Sequence, residues 1–129
     1  MGGLHSPVQV QKALFLIDRQ IPKLIGGPFF DFRPYDYGPF DKDVYDTLEE
    51  LAREGLVAVE AAPGMRWRRY RLSEAGQEEA QRVIRSLDPR AGDYIAKVSK
   101  FVRTLSFEQL VSAIYKAYPD MKVNSVFKG

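Results

Sequence analysis

Residues 48 to 76, LEELAREGLVAVEAAPGMRWRRYRLSEAG, constrain the fold more than any other stretch of the chain. Leu48, Leu51 and Ala52 recur at helical spacing, and Gly55 supplies a left-handed stop. Leu56 to Ala61 then alternates like a strand, Pro63 and Gly64 make a turn, and Met65 to Leu72 returns as a second strand. Ser73 caps a helix running from Glu74 to about Leu87, with Ala75, Ala80, Val83, Ile84 and Leu87 expected inward. Helix, two-stranded ribbon, helix is the back half of a winged-helix domain. The predicted fold is therefore mostly α with a small β-hairpin, winged-helix-like, with a C-terminal helical extension.

The flanking sequence agrees with this. Ser6 followed by Pro7 is a helix start, and Leu14, Ile17, Ile21 and Leu24 form a stripe that predicts a helix over 7–25, kinked or shortened by Pro22 and ended by Gly26 and Gly27. The next segment, PFFDFRPYDYGPF from Pro28 to Phe40, cannot be a regular helix with three prolines in it. It is expected as a loop whose rings pack beneath it as a satellite aromatic cluster; its functional alternative is a sticky surface or ligand groove. Asp41 caps a helix over 42–54 with Val44, Leu48, Leu51 and Ala52 buried. DPRAG, residues 88–92, is the one candidate internal linker. Beyond it Ala91, Ile95, Val98, Val102 and Leu105 form a narrow apolar seam that packs on its own domain or, in a lesser reading, builds a homodimer. Ser106 and Gln109 form a capping box for a last helix carrying Leu110, Val111, Ile114 and Tyr118. The tail, MKVNSVFKG, reads as a loop or short strand.

A chain of 129 residues has room for one core. Residues 1–129 are read as one domain, its core spanning about 6–87 and the helical extension about 91–118. A net charge of +2 does not by itself announce a nucleic-acid binder, so any electrostatic argument rests on where the charges lie. Without cysteine, and with His5 alone in a terminus expected to be loose, neither a disulfide framework nor a thiolate metal site is available. No metal, no cofactor and no membrane span is expected, and the location expected is cytoplasmic. The acids Asp31, Asp36, Asp41, Asp43 and Asp46 lie close in sequence, yet capping and the helix dipole account for Asp41 and the early helical acids, so no catalytic residue is assigned.

Two surfaces remain. Arg66, Trp67, Arg68, Arg69 and Arg71 gather positive charge on the ribbon, where a guanidinium reaches phosphate and a ring can stack. The bland alternative is pairing of Arg69 and Arg71 with nearby acids while Trp67 shields the core. Against DNA stands the helix in the recognition position, which carries Asp41, Asp43, Asp46, Glu49, Glu50 and Glu54 against only Lys42 and Arg53 and would bring like charges together in a major groove. Lys97, Lys100 and Arg103 form a further basic row that reads as solvated helix surface.

YGPF at Tyr37 to Phe40 followed by a capped helix, EGLV at Glu54 to Val57, LSFEQL, IYKAYPDM, and NS at Asn124 and Ser125 resemble the Panacea or SocA-like antitoxin domain proteins and the related YwgA-like phage-associated proteins. The resemblance starts at QKALFLID, Gln11 to Asp18, and spans nearly the whole chain. It implies a compact, mostly helical fold that neutralises a partner toxin or acts as a protein adaptor, without an established catalytic site. Asp41 stands where a serine commonly follows YGPF, and both residues cap helices; the arginine-rich ribbon is more pronounced than the family leads one to expect. The leading expectation is a non-enzymatic interaction protein that binds a partner protein through the aromatic loop and acidic helix, with Phe32, Tyr35, Tyr37, Phe40, Asp43, Asp46 and Glu50 as contacts. The alternative is a winged-helix DNA-binding regulator held by the ribbon arginines, and a third reading is a small subunit of a larger assembly.

Overall fold

The computed structural model describes residues 3–61, 64 and 68–127. The fold is mostly helical, with two small antiparallel hairpins. Helix α1 (Pro7–Gln20) starts at a full capping box, in which Ser6 Oγ accepts from the Gln9 amide and Gln9 Oε1 accepts from the Ser6 amide. It stops two residues before Pro22, whose ring cannot continue the hydrogen-bond ladder, and a single turn α2 (Pro22–Ile25) follows, closed by Gly26 at φ +78°. The expected 7–25 helix is thus two pieces.

The aromatic segment corrects the loop expectation. It contains a hairpin, β1 (Arg33–Tyr35) and β2 (Gly38–Phe40), in which Pro34 faces Pro39. Neither ring nitrogen can donate, so this pair occupies the non-hydrogen-bonded position of the ladder, the one place where two opposed prolines are tolerated. Helix α3 (Lys42–Arg53) follows, capped by Asp41 Oδ1 on the Asp43 amide and ended by Gly55 at φ +79°. Strands β3 (Val57–Ala61) and β4 (Arg68–Leu72) pair from Val57 with Leu72 to Ala61 with Arg68, giving the expected ribbon. Helix α4 (Glu74–Ser86) comes next, capped by Ser73. Its Gly76 presses against the ribbon so closely that a Cβ there would overlap the Leu56 carbonyl oxygen. Ala80, Ile84 and Leu87 are half-buried, whereas Ala75 and Val83, expected inward, are exposed.

DPRAG is a helix start instead of a linker: Asp88 accepts from the Arg90 amide and Pro89 opens α5 (Pro89–Thr104). The predicted seam is correct, with Ala91, Val98 and Val102 buried and Ile95 and Leu105 half-buried. Helix α6 (Phe107–Ala117) begins at the Ser106–Gln109 capping box and gives way to a 3-10 turn at Pro119–Lys122. The hydrophobic core joins Ala13 and Phe15 of α1 to Val98, Val102, Leu110, Ile114 and Met121, with Phe32 and Tyr118 against it. The C-terminal helices therefore supply most of the core. The start of the chain is tied down as well: His5 and Tyr70 exchange backbone hydrogen bonds of 2.8 Å, adding the N-terminal segment to the free edge of β4.

Candidate functional site

Helix α1 buries three polar side chains, Gln11, Lys12 and Asp18, and each fixes the backbone of the aromatic segment. The Gln11 amide grips Asp41 at both backbone groups, donating to its carbonyl at 2.9 Å and accepting from its N–H at 3.1 Å. Lys12 Nζ donates to the Pro39 carbonyl at 3.2 Å. The Asp18 carboxylate accepts from the Phe29 and Phe30 amides at 3.0 and 2.8 Å. Buried polar groups are costly unless paired, and here the pairing partner in every case is the backbone from Phe29 to Asp41. The expected stripe of Leu14, Ile17, Ile21 and Leu24 is only half-buried; the deeply buried face runs through Gln11, Phe15 and Asp18.

The tail holds the hairpin from its other side. Asn124 Nδ2 donates to the Pro34 carbonyl at 3.1 Å, and the Asp36 carbonyl accepts from the Val126 amide at 2.9 Å and the Ser125 hydroxyl at 3.2 Å. Tyr115 donates its hydroxyl to Ser125 Oγ at 2.6 Å. Gly38, at φ +101°, lets the turn close over α6: a Cβ there would come within 3.3 Å of the Tyr115 ring in a backbone region that L-residues avoid. QKALFLID, YGPF, the end of IYKAYPDM's helix and NS thus converge on one structure.

Beneath the hairpin lies a groove of about 770 Å³ between the start of α1, the β1–β2 turn, Tyr45 of α3 and the α5–α6 junction. Its walls are mostly apolar, with Phe40, Leu105, Phe107 and Leu110 prominent, and Lys12 contributes to its lining. Rings link the walls: Tyr35 stacks on Phe40 at 5.4 Å, Phe40 meets Tyr45 edge-on at 5.7 Å, and Tyr37 meets Phe107 at 5.1 Å. Burial pushes the Lys12 ammonium down to about 8, because removing the charge from water disfavours it. Among the described residues no carboxylate forms an ion pair with it.

Of the expected contact residues, Tyr35 and Tyr37 are exposed on the hairpin, and Phe40 is a half-buried groove wall. Asp43, Asp46 and Glu50 are exposed on the solvent side of α3, where Asp46 pairs with Lys42 at 3.5 Å. Phe32 sits apart from them, edge-on to Phe15 at 5.6 Å as a core residue. Gln11, Lys12, Asp18, Tyr45 and Phe107 are additions to the set expected from sequence. For Gln11, Lys12 and Asp18 the visible signal was polar residues interrupting the apolar stretch of α1.

On the ribbon, Arg66 and Trp67 lie outside the described residues. Arg68 is exposed, Arg71 pairs with Glu60 at 2.9 Å, and Arg69 is half-buried with an Nε that has no hydrogen-bond partner among the described residues. His5, expected to be loose, has Nε2 at 3.1 Å from Ser99 Oγ and Nδ1 at 3.2 Å from the Gly3 carbonyl; burial is the main cause that lowers its pKa below the ordinary value. Among the described residues no group of three His, Asp or Glu could hold a metal, and no helix is long and apolar enough to cross a membrane. No protein-family model matches the chain, and no curated protein matches it.

Proposed function

We propose that this chain is a non-enzymatic, cytoplasmic interaction protein of the antitoxin or phage-defence-associated type, which holds a partner protein against the β1–β2 hairpin and the outer face of α3. The observation that supports this reading is the display of Tyr35, 58% exposed, and Tyr37, 44% exposed, on a hairpin whose backbone is fixed from below by buried side chains of α1. Rigid, exposed aromatic side chains are the residues that contribute most when a protein surface is covered by a partner, because little conformational freedom is lost on binding. Phe107, 42% exposed beside Tyr37, extends the apolar patch. The adjoining acids Asp43, Asp46 and Glu50 favour a basic partner and speed its encounter.

Affinity purification from the native host with mass spectrometry identifies the partner, and titration of that partner then tests the surface. Tyr37→Ala is expected to weaken the complex by at least about tenfold, in line with an exposed aromatic anchor. Asp46→Lys is expected to slow association at low salt and to weaken the salt dependence that the parent shows. Unchanged affinity in both variants removes this surface from consideration. The DNA-regulator reading keeps exposed Arg68 in its favour, while the Arg71–Glu60 pair neutralises one of its arginines.

A further inference from the structure

We propose that the groove beneath the β1–β2 hairpin binds a small amphipathic carboxylate, with its apolar body against Phe40, Leu105 and Phe107 and its acid group on the Lys12 ammonium. An ammonium carries three donors, and Pro39 accepts one of them. The remaining donors belong to a cation that is 3% exposed and has no ion-pair partner among the described residues, so an arriving anion satisfies donors that the fold leaves over. The same groove is lined by Ser6, Pro7, Val8 and Gln9, the first turn of a 14-residue helix, whose positive dipole end adds to the field of Lys12. The rest of the lining suits an uncharged body. The volume of about 770 Å³ lies inside the range of small-molecule sites, roughly 300–1,000 Å³.

The other titratable groups around the groove do not reverse this polarity. Tyr35, Tyr37 and Tyr45 line it with phenol rings, and Tyr115 lies against the Gly38 turn. Asp36 is the single acid among the described lining residues and is exposed, where water and salt screen it, whereas Lys12 is buried away from that screening. A cationic ligand would oppose the buried Lys12 charge; a carboxylate pairs with it.

The site stands independently of the partner-protein reading, since a chain that takes the carboxylate and captures no protein supports one and not the other. The test uses decanoate and its neutral counterpart decanamide as probes, titrated calorimetrically into the full chain at pH 7. Decanoate is expected to bind at one site per chain and about tenfold or more tighter than decanamide, the increment of a charge-assisted hydrogen bond. In Lys12→Met the two probes are expected to bind alike, with decanamide retaining its wild-type affinity. Acetylation of Lys12 in the wild-type chain, followed by peptide mass spectrometry, gives the same answer without a variant: decanoate protects Lys12 and decanamide does not. Absence of binding by either probe, equal affinity in the wild type, a preference that survives Lys12→Met, or acetylation indifferent to decanoate overturns the proposal.

Discussion

Replacing Lys12 by methionine removes a buried ammonium while keeping an unbranched chain of similar reach, and the consequence is a stability difference that depends on pH. Burial lowers the Lys12 pKa from the ordinary 10.5 to about 8, a gap of about 2.5, and each pKa unit corresponds to about 1.36 kcal/mol. The wild-type fold therefore carries a cost of about 3 kcal/mol for as long as the amine is protonated in both folded and unfolded chains, which holds below about pH 8. Between about 8 and 10.5 the unfolded chain keeps a proton that the folded chain has released, so wild-type stability rises with pH; above 10.5 the cost is gone. Methionine never carries it. The variant does lose the Nζ donor to Pro39, an offset of about 1–3 kcal/mol against it that does not change with pH. Urea denaturation of both proteins at pH 7, 8.5 and 10 gives the difference directly, and tyrosines that titrate in both cancel. The wild type is expected to gain about 2.5 kcal/mol on Lys12→Met across that range, the remainder coming only above pH 10. A difference that stays flat refutes the burial of a cation at this position.

Gly76→Ala is expected to destabilise the fold by about 2 kcal/mol or more, because the new methyl meets the rigid Leu56 carbonyl and the overlap outweighs the better helix propensity of alanine; thermal unfolding reads it. Asp18→Ala leaves the Phe29 and Phe30 amides without their acceptor and is expected to cost about 2–3 kcal/mol, with hydrogen exchange speeding up at those two amides before the core opens. His5 has a folded pKa below its ordinary 6.5, so the folded chain binds its proton less well than the unfolded one. Stability is expected to be whole above pH 6.5, to fall as pH drops through it, and to level off below the folded value; the melting temperature of His5→Asn should lack that slope.

What could be read from sequence was whatever local chemistry determines. Asp41, Ser73 and the Ser106–Gln109 box mark helix starts within three residues, Gly55 marks a stop, and the α5 seam declares its buried side through spacing alone. The β1–β2 hairpin escaped because its prolines argue against a strand unless they face each other across a non-hydrogen-bonded pair, a relation that only register supplies. Asp88 and Pro89 carry both linker and helix-start signals, and packing of α5 on α1 decides between them. The buried face of α1 escaped for a different reason. Gln11, Lys12 and Asp18 are polar, and a search for apolar periodicity passes over residues whose burial depends on backbone partners 11 to 30 positions away. The groove was the last to emerge, since Asn124 and Ser125 reach the hairpin across some 90 residues of chain. The tyrosines at its rim were visible as residues; the clamp that makes them a rigid surface was not.

The proposed partner-binding surface joins the clamped hairpin to the acidic face of α3. Hydrogen exchange of the chain, free and saturated with the partner recovered by affinity purification, tests it most directly. Protection concentrated in residues 33–53, with the β3–β4 ribbon and the outer face of α5 exchanging as in the free protein, is the predicted result. Protection confined to the ribbon or to α5, with the hairpin exchanging at its free rate, contradicts the account.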